Sequence, residues 1–189
     1  MTDVHVMIDI ETLASTADAL ILSIGAYMFE PATDKCTPIT HGGFYTVCSQ
    51  ASQPDRVIAV NTVRWWEQQS DEARKVLMQS TAPEAPTLAQ ALTALAEWMP
   101  AEYAGVWSNG ADFDLPIIGH AVERLKLPRP WSFRKHRCYR TIRNISGFDY
   151  RGLPRRDGTH HNAMDDAQYQ AECASVILGR LHNMTDFWE

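Results

Sequence analysis

Near its N-terminus the chain reads Val4-His5-Val6-Met7-Ile8-Asp9-Ile10-Glu11-Thr12, with two carboxylates at the end of an apolar run. Its run of Val, Met and Ile without a turn residue predicts a buried β-strand. Successive side chains of a strand point to opposite faces, so Asp9 and Glu11 lie on the same side. Two buried like charges need a positive partner, and a divalent cation is the simplest candidate. The alternative is that the strand has already ended and both carboxylates are solvated.

The bulk composition predicts one soluble domain over residues 1–189. Apolar residues make up 45% of the chain and charged residues 21%, which is ordinary for a globular protein. No apolar run approaches the length of a membrane span, and the N-terminus has no signal-peptide pattern. The four scattered cysteines form no CxxC pair, which argues against a zinc site or a disulfide framework and favours a cytoplasmic location.

The charge is distributed unevenly along a chain whose net charge is −6. Residues 129–156 hold nine Lys or Arg and one acidic residue, Asp149, for a local charge of +8. The rest of the chain holds 8 basic and 22 acidic residues. A basic segment on an acidic protein is typical of a polyanion-binding surface, although a solvated loop and helix face would look the same.

The periodicity predicts a mixed α/β sheet with helices on its faces. Three early strands form an antiparallel meander at residues 4–10, 20–29 and 42–48, and a later strand covers 104–108. Helices are predicted after Asn61-Thr62, over 72–79, over 88–99, after an Asp112 cap, around 139–145 and from 163 to about 181. The rest of 129–158 is predicted to be irregular. We expect the late strand to lie parallel to the first, so that its C-terminal end faces Asp9 and Glu11.

Two further acidic sites stand near predicted helix starts. In the stretch NGADFDLP, one of Asp112 and Asp114 is explained as a helix cap, which leaves the other free to point elsewhere. In the stretch HHNAMDD, either Asp165 or Asp166 shares a face with His161, depending on whether the histidine lies inside the helix or in the loop before it. The spacing alone leaves that choice open.

These residues resemble a known family. Asp9-Ile10-Glu11, Phe113-Asp114 and the H-x-x-x-x-D spacing that ends at Asp166 look like the three motifs of the DEDDh (DnaQ-like) 3′→5′ exonucleases. A narrower resemblance is to the small bacterial and phage subset grouped with exonuclease VIII-like and mycobacterial-type exoribonuclease proteins. It is carried by SIGAYMF, NTVRWWEQQSDEAR, VWSNGADFDLPI, CYRT and HNAMDDA, and it runs nearly end to end.

The resemblance implies a ribonuclease H-like fold with a five-stranded mixed sheet flanked by helices. It implies a single exonuclease domain whose metal ligands are Asp9, Glu11, Asp114 and Asp166, with His161 as the general base. Carboxylate ligands favour Mg²⁺ or Mn²⁺, and two such ions would serve phosphodiester hydrolysis. The expected reaction releases nucleoside monophosphates from the 3′ end of single-stranded DNA or RNA.

The resemblance also implies partners and substrate contacts. We expect five residues to contact the nucleic acid: Thr12, Leu13, Trp66, Asn109 and Arg140. Adjacent tryptophans on a helix point about 100° apart, so at least one of Trp65 and Trp66 is expected in the core. Dimerisation is common in the family, so a homodimer is an expected assembly. The alternative function is a nucleic-acid-binding accessory domain without turnover.

Overall fold

The computed structural model describes residues 3–34, 36–147 and 153–185. It contains a five-stranded sheet in the order β3-β2-β1-β4-β5. The strands are β1 (His5–Thr12), β2 (Ile21–Glu30), β3 (Ile39–Val47), β4 (Gly105–Ser108) and β5 (His136–Cys138). The helices are α1 (Val60–Trp66), α2 (Asp71–Gln79), α3 (Leu88–Trp98), α4 (Asp114–Arg124), α5 (Tyr139–Ile145) and α6 (Ala163–Thr185). The predicted mixed five-stranded α/β sheet flanked by helices is confirmed.

The sheet is antiparallel on one side and parallel on the other. Strands β1, β2 and β3 form the predicted meander, and β4 pairs in parallel with β1, with Met7 opposite Trp107. Strand β5 pairs in parallel with β4. The carboxyl ends of β1, β4 and β5 therefore meet at one edge of the sheet, which is the edge that carries Asp9 and Glu11.

The two faces of β1 pack against different helices. Val6, Ile8 and Ile10 belong to a core cluster that includes residues of α3 and α4. Met7, on the opposite face, belongs to a second cluster, which includes Trp107 and residues of α6. Since side chains alternate along the strand, Asp9 and Glu11 continue the α6 side of β1 beyond Met7.

Two predicted helix starts are wrong by a few residues. Helix α1 begins at Val60, before Asn61-Thr62, and its N-cap Ala59 makes no side-chain hydrogen bond. The backbone N–H of Ala59 instead donates to the carbonyl of Leu13 at 2.8 Å, so a tertiary contact sets where the chain enters the helix. Helix α4 has Phe113 as its N-cap, and Asp112 is exposed outside the helix.

Strand β5 lies inside the segment that was predicted to be irregular. Its three residues, His136-Arg137-Cys138, show no apolar alternation, and the strand exists because it pairs with β4. Asp149 and Arg151 of the same segment lie outside the described residues. No helix in the described part of the chain combines the length and apolar character that a membrane crossing requires.

Candidate active site

Hydrogen bonds tie strand β1 to two helices beside its acidic pair. Oδ1 of Asp9 accepts a hydrogen bond from the side-chain amide of Gln170 on α6, at 2.8 Å. Oδ1 of Asp114 accepts one from the backbone N–H of Ile10, at 3.1 Å. Asp114 is the first residue of α4 and is 3% exposed. The first turn of α4 is therefore fixed to β1 at the residue between Asp9 and Glu11.

The loop before α6 gives different surroundings to Asp165 and Asp166, the two aspartates in the first turn of this helix. Asn162 caps the helix by accepting hydrogen bonds from the backbone N–H groups of Met164 and Asp165. The carboxylate of Asp165 points back into the loop and accepts from the backbone N–H of Thr159 at 2.7 Å. The carboxylate of Asp166 lines the cavity and accepts from the backbone N–H of His161 at 3.0 Å. His161 therefore lies in the loop, and Asp166 is the aspartate that faces the site.

His161 is held in an uncommon backbone conformation. Its φ angle is 62°, in the left-handed region that residues other than glycine rarely adopt. The ring of Trp65 packs edge-on against the imidazole, with 4.7 Å between the ring centroids. Ligand atoms of Glu11, His161 and Asp166 all lie within 4.8 Å of one another. The loop thus presents the imidazole directly to the carboxylates.

These side chains meet in a cavity of about 470 Å³ at the sheet edge. The carboxylates of Asp9, Glu11, Asp114 and Asp166 line it together with His161. The other lining residues are Ile10, Thr12, Ala14, Ser15, Thr62, Trp65, Asn109, Phe113, Tyr139, Arg140, Arg143, Arg156, His160, Tyr169 and Gln170. All five residues predicted to be catalytic are therefore brought to one place.

The electrostatics of the cluster fit a cation. Burial and the neighbouring carboxylates raise the pKa of Asp9 well above its ordinary value. Burial, then the charges of Asp166 and Asp114, raises the pKa of Glu11 to about 8. Burial raises the pKa of Asp114 to about 7. Hard carboxylate oxygens crowded in this way are the donor set that divalent cations such as Mg²⁺ and Mn²⁺ prefer, and such cations favour the ionised form.

His161 has the opposite shift. Burial lowers its pKa below the ordinary value of 6.5, against the opposing effect of Asp166. The imidazole is therefore neutral at pH 7 and able to accept a proton.

The predicted substrate contacts divide into two groups. Thr12, Asn109 and Arg140 line the cavity, and Arg140 donates a hydrogen bond to the carbonyl of Asn109 at 2.6 Å. Leu13 and Trp66 do not line it. Leu13 is 5% exposed and Trp66 1% exposed, and both belong to a core cluster with Leu20 and Leu22.

The expectation that Leu13 and Trp66 contact substrate is therefore corrected by their burial. The indole N–H of Trp66 donates to the carbonyl of Thr12 at 2.9 Å, which anchors helix α1 to the end of β1. Trp65, at 39% exposure, is the tryptophan that lines the cavity. The 100° offset between adjacent helix residues predicts that Trp65 and Trp66 point in different directions, but only the packing shows which of them is buried.

Several cavity residues were not singled out by the sequence, and three of them contact or adjoin the carboxylates. Gln170 bonds Asp9, Tyr169 lines the wall, and Arg156 forms an ion pair with Asp166. Gln170 follows Asp166 by four residues and Tyr169 by three, so helical spacing from an assigned Asp166 would have placed them nearby. No local spacing links Arg156 to the carboxylates.

The sequence matches the model of the 3'-5' exoribonuclease Rv2179c-like domain over residues 4–178. The chain belongs to this family. Its class is therefore that of the metal-dependent 3′→5′ exonucleases, and the accessory-domain alternative loses its basis. Among curated proteins, none matches the sequence significantly.

Solved structures of DEDDh-type nucleases share the fold. The nuclease domain of 3'hExo, a DEDDh family member bound to rAMP, has a TM-score of 0.60 at 13% identity, covering 96% of this chain and 92% of that one. E. coli exonuclease I in complex with a dA16 oligonucleotide has a TM-score of 0.65 at 14% identity, covering 98% of this chain and 43% of that one. A zinc-bound form of the E. coli exonuclease I–ssDNA complex has a TM-score of 0.66 at 13% identity, with 99% and 43% covered. This chain thus spans less than half of the exonuclease I chains.

Proposed function

We propose that this exonuclease is a single catalytic domain that trims single-stranded RNA from its 3′ end and releases nucleoside 5′-monophosphates. The observation that carries the proposal is the convergence of four carboxylates from β1, α4 and α6 beside a neutral imidazole. The family description, an exoribonuclease domain, supports RNA as the substrate class.

In this proposal, Asp9, Glu11, Asp114 and Asp166 hold two Mg²⁺ or Mn²⁺ ions. Bound ions of this kind supply Lewis-acid stabilisation of the attacking and leaving oxygens in phosphodiester hydrolysis. The raised pKa values of Asp9, Glu11 and Asp114 support this role, because such a cluster needs positive charge to stay ionised at neutral pH.

His161 is proposed as the general base. Its neutral imidazole takes the proton of the attacking water, and its ring nitrogen lies within 4.8 Å of carboxylate oxygens of Glu11 and Asp166, beside the proposed metal ligands. The left-handed backbone of His161, the hydrogen bond from its N–H to Asp166 and the contact with Trp65 hold the ring in position.

The nucleic acid is proposed to enter over the basic side of the cavity. Arg140 and Arg143 line this wall. Arginine contacts to backbone phosphates give affinity that falls with salt. Trp65 replaces Trp66 as the proposed stacking surface for a base, since its exposed ring faces the cavity.

Matched RNA and DNA oligonucleotides of one sequence, both labelled at the 5′ end, test the substrate. With Mn²⁺ present, the RNA should shorten faster than the DNA. Faster shortening of the DNA would contradict the RNA proposal while leaving the exonuclease class intact. Loss of both activities in Asp114→Asn, with a retained melting transition, is expected if the four carboxylates hold the metal.

A further inference from the structure

Arg156 places a positive charge inside the carboxylate cluster. Its guanidinium forms an ion pair with Oδ1 of Asp166, and the two side chains are only 17% and 13% exposed. Solvent-exposed ion pairs are weak, whereas removing one partner of a secluded pair leaves an uncompensated charge. The pair is therefore a substantial interaction of this site.

Further contacts hold the guanidinium at the cavity wall. It lies over the ring of Tyr169, with 5.4 Å between its carbon and the ring centroid, and it reaches the carbonyl of Thr159 at 3.4 Å. Its buried Nε has no hydrogen-bond partner among the residues that the structure describes. The charge of Arg156 also opposes the rise in the pKa of Glu11. Arg156 is thus a built-in counter-ion for at least two of the carboxylates.

Both oxygens of Asp166 are engaged in this arrangement. Oδ2 accepts from the N–H of His161, and Oδ1 holds Arg156. A cation that binds Oδ1 of Asp166 must displace the guanidinium from it. A guanidinium released within the same cavity presents a planar pair of donors, which matches a phosphate group.

We propose that Arg156 competes with divalent cations for Asp166 and, once displaced, binds the phosphate of the 3′-terminal nucleotide. The metal-ligand role of Asp166 in this proposal rests on the proposed function. Metal and nucleotide then bind cooperatively, because each favours the state in which Arg156 has left Asp166. Without a metal ion, the guanidinium of Arg156 occupies Asp166. With a metal ion bound, the guanidinium is available to bind a phosphate.

Calorimetric titration with Mn²⁺, in the absence of nucleic acid, tests the competition. Arg156→Gln should bind Mn²⁺ about fivefold or more tightly than the wild type, the low end of typical coupling between sites. The matched control is Arg140→Gln, which removes the same charge from the same cavity but from a residue bonded to the carbonyl of Asn109. Unchanged or weaker binding by Arg156→Gln, or an equal gain in Arg140→Gln, would overturn the proposal.

Binding of adenosine 5′-monophosphate tests the second half. Mg²⁺ should strengthen its binding to the wild type and should strengthen binding to Arg156→Gln much less. An equal effect of Mg²⁺ on both proteins would contradict the coupling. Because neither titration requires turnover, a protein without exonuclease activity would still report on Arg156.

A measurement on the wild-type protein tests the displacement of Arg156 even when the Arg156→Gln variant does not fold. The buried Nε–H of Arg156 should give a resolved ¹⁵N–¹H resonance, assigned by its loss in Arg156→Lys. Addition of diamagnetic Mg²⁺ should shift this resonance more than that of Arg140. A resonance that Mg²⁺ leaves in place would overturn the displacement of Arg156.

Discussion

His161 is the residue on which turnover should depend most directly. His161→Ala should retain metal binding and lose about 10²- to 10⁴-fold in kcat, the usual contribution of a positioned general base. The matched control is His160→Ala, which removes the neighbouring cavity imidazole. Steady-state kinetics with a short RNA separate the two variants, and near-normal turnover in His161→Ala would remove it from the mechanism.

The pH profile should carry the same residue's signature. Since burial lowers the pKa of His161, the imidazole stays neutral to a pH below 6.5. The midpoint of the acidic decline of kcat should therefore lie below that ordinary value, and the decline should disappear from the residual activity of His161→Ala. A decline that persists unchanged in the variant would assign it to another group.

The adjacent tryptophans should separate stability from binding. Trp66→Ala empties a core position whose indole also bonds the end of β1, and it should lower the free energy of unfolding by about 3–5 kcal/mol. Trp65→Ala removes a 39% exposed ring, so it should change stability less and raise KM. Denaturant melts and kinetics of both variants decide this, and a reversed pattern would contradict the assignment of the two rings.

At the scale of elements, the close contact between β2 and α6 positions the site. A Cβ added to Gly25 would overlap the backbone of Ala163 and lie 2.5 Å from the backbone nitrogen of Met164. Gly25→Ala should therefore push away the start of the helix that carries Asp166, destabilise the fold by about 1–3 kcal/mol and lower kcat.

The control for this contact is Gly119→Ala in α4. The nearest atom to an added Cβ there is 3.7 Å away, on Arg129. Because alanine favours helix more than glycine does, this variant should be stabilised by up to about 1 kcal/mol. Thermal melts of the two variants side by side should show opposite signs, and a neutral Gly25→Ala would argue against the tight contact.

Strand β1 and helices α4 and α6 bury several carboxyl groups together, so the stability of the protein should depend on pH. Folding raises the pKa of Glu11 to about 8 and of Asp114 to about 7. The protonated carboxyl groups stabilise the folded state fully below their pKa values in the unfolded chain, near 4. This stabilisation is lost as the pH rises through their pKa values in the folded state. Metal-free protein should therefore melt at a lower temperature at pH 8.5 than at pH 5.5.

Divalent cations should reverse this loss. Mn²⁺ binds the ionised carboxylates, so the rise in melting temperature that it produces should grow between pH 5.5 and pH 8.5. Melts in EDTA and in Mn²⁺ across this range provide the measurement. A metal-free protein that is most stable at the alkaline end would contradict the burial of these groups.

At the scale of the whole molecule, the sequence predicted the elements with strong local patterns. Alternation in β1 predicted that Asp9 and Glu11 share a face, and the order of elements predicted that β4 lies beside β1. Strand β5 escaped prediction because His136-Arg137-Cys138 has no strand pattern of its own and depends on pairing with β4. Tertiary contacts, such as the bond from Ala59 to Leu13, also set helix starts that capping residues did not.

Part of the site could be predicted from the sequence. The resemblance to the DEDDh motifs assigned the four carboxylates and His161. Helix geometry alone could not choose between Asp165 and Asp166, because that choice depends on the left-handed backbone of His161. Arg156 was not predictable, since its pairing with Asp166 depends on the path of the intervening loop. The path of this loop could not be predicted, because a loop has no periodic pattern of residues.

Removal of nucleotides from the 3′ end of the substrate should depend on this one metal-binding site. A 5′-labelled single-stranded RNA incubated with the wild-type protein and Mn²⁺ tests it most directly, beside a sample with EDTA and one with Asp9→Asn. The expected product is a ladder that shortens one nucleotide at a time from the 3′ end, with no cleavage in EDTA or by a folded Asp9→Asn. Large internal fragments, cleavage that survives EDTA, or full activity of Asp9→Asn would contradict it.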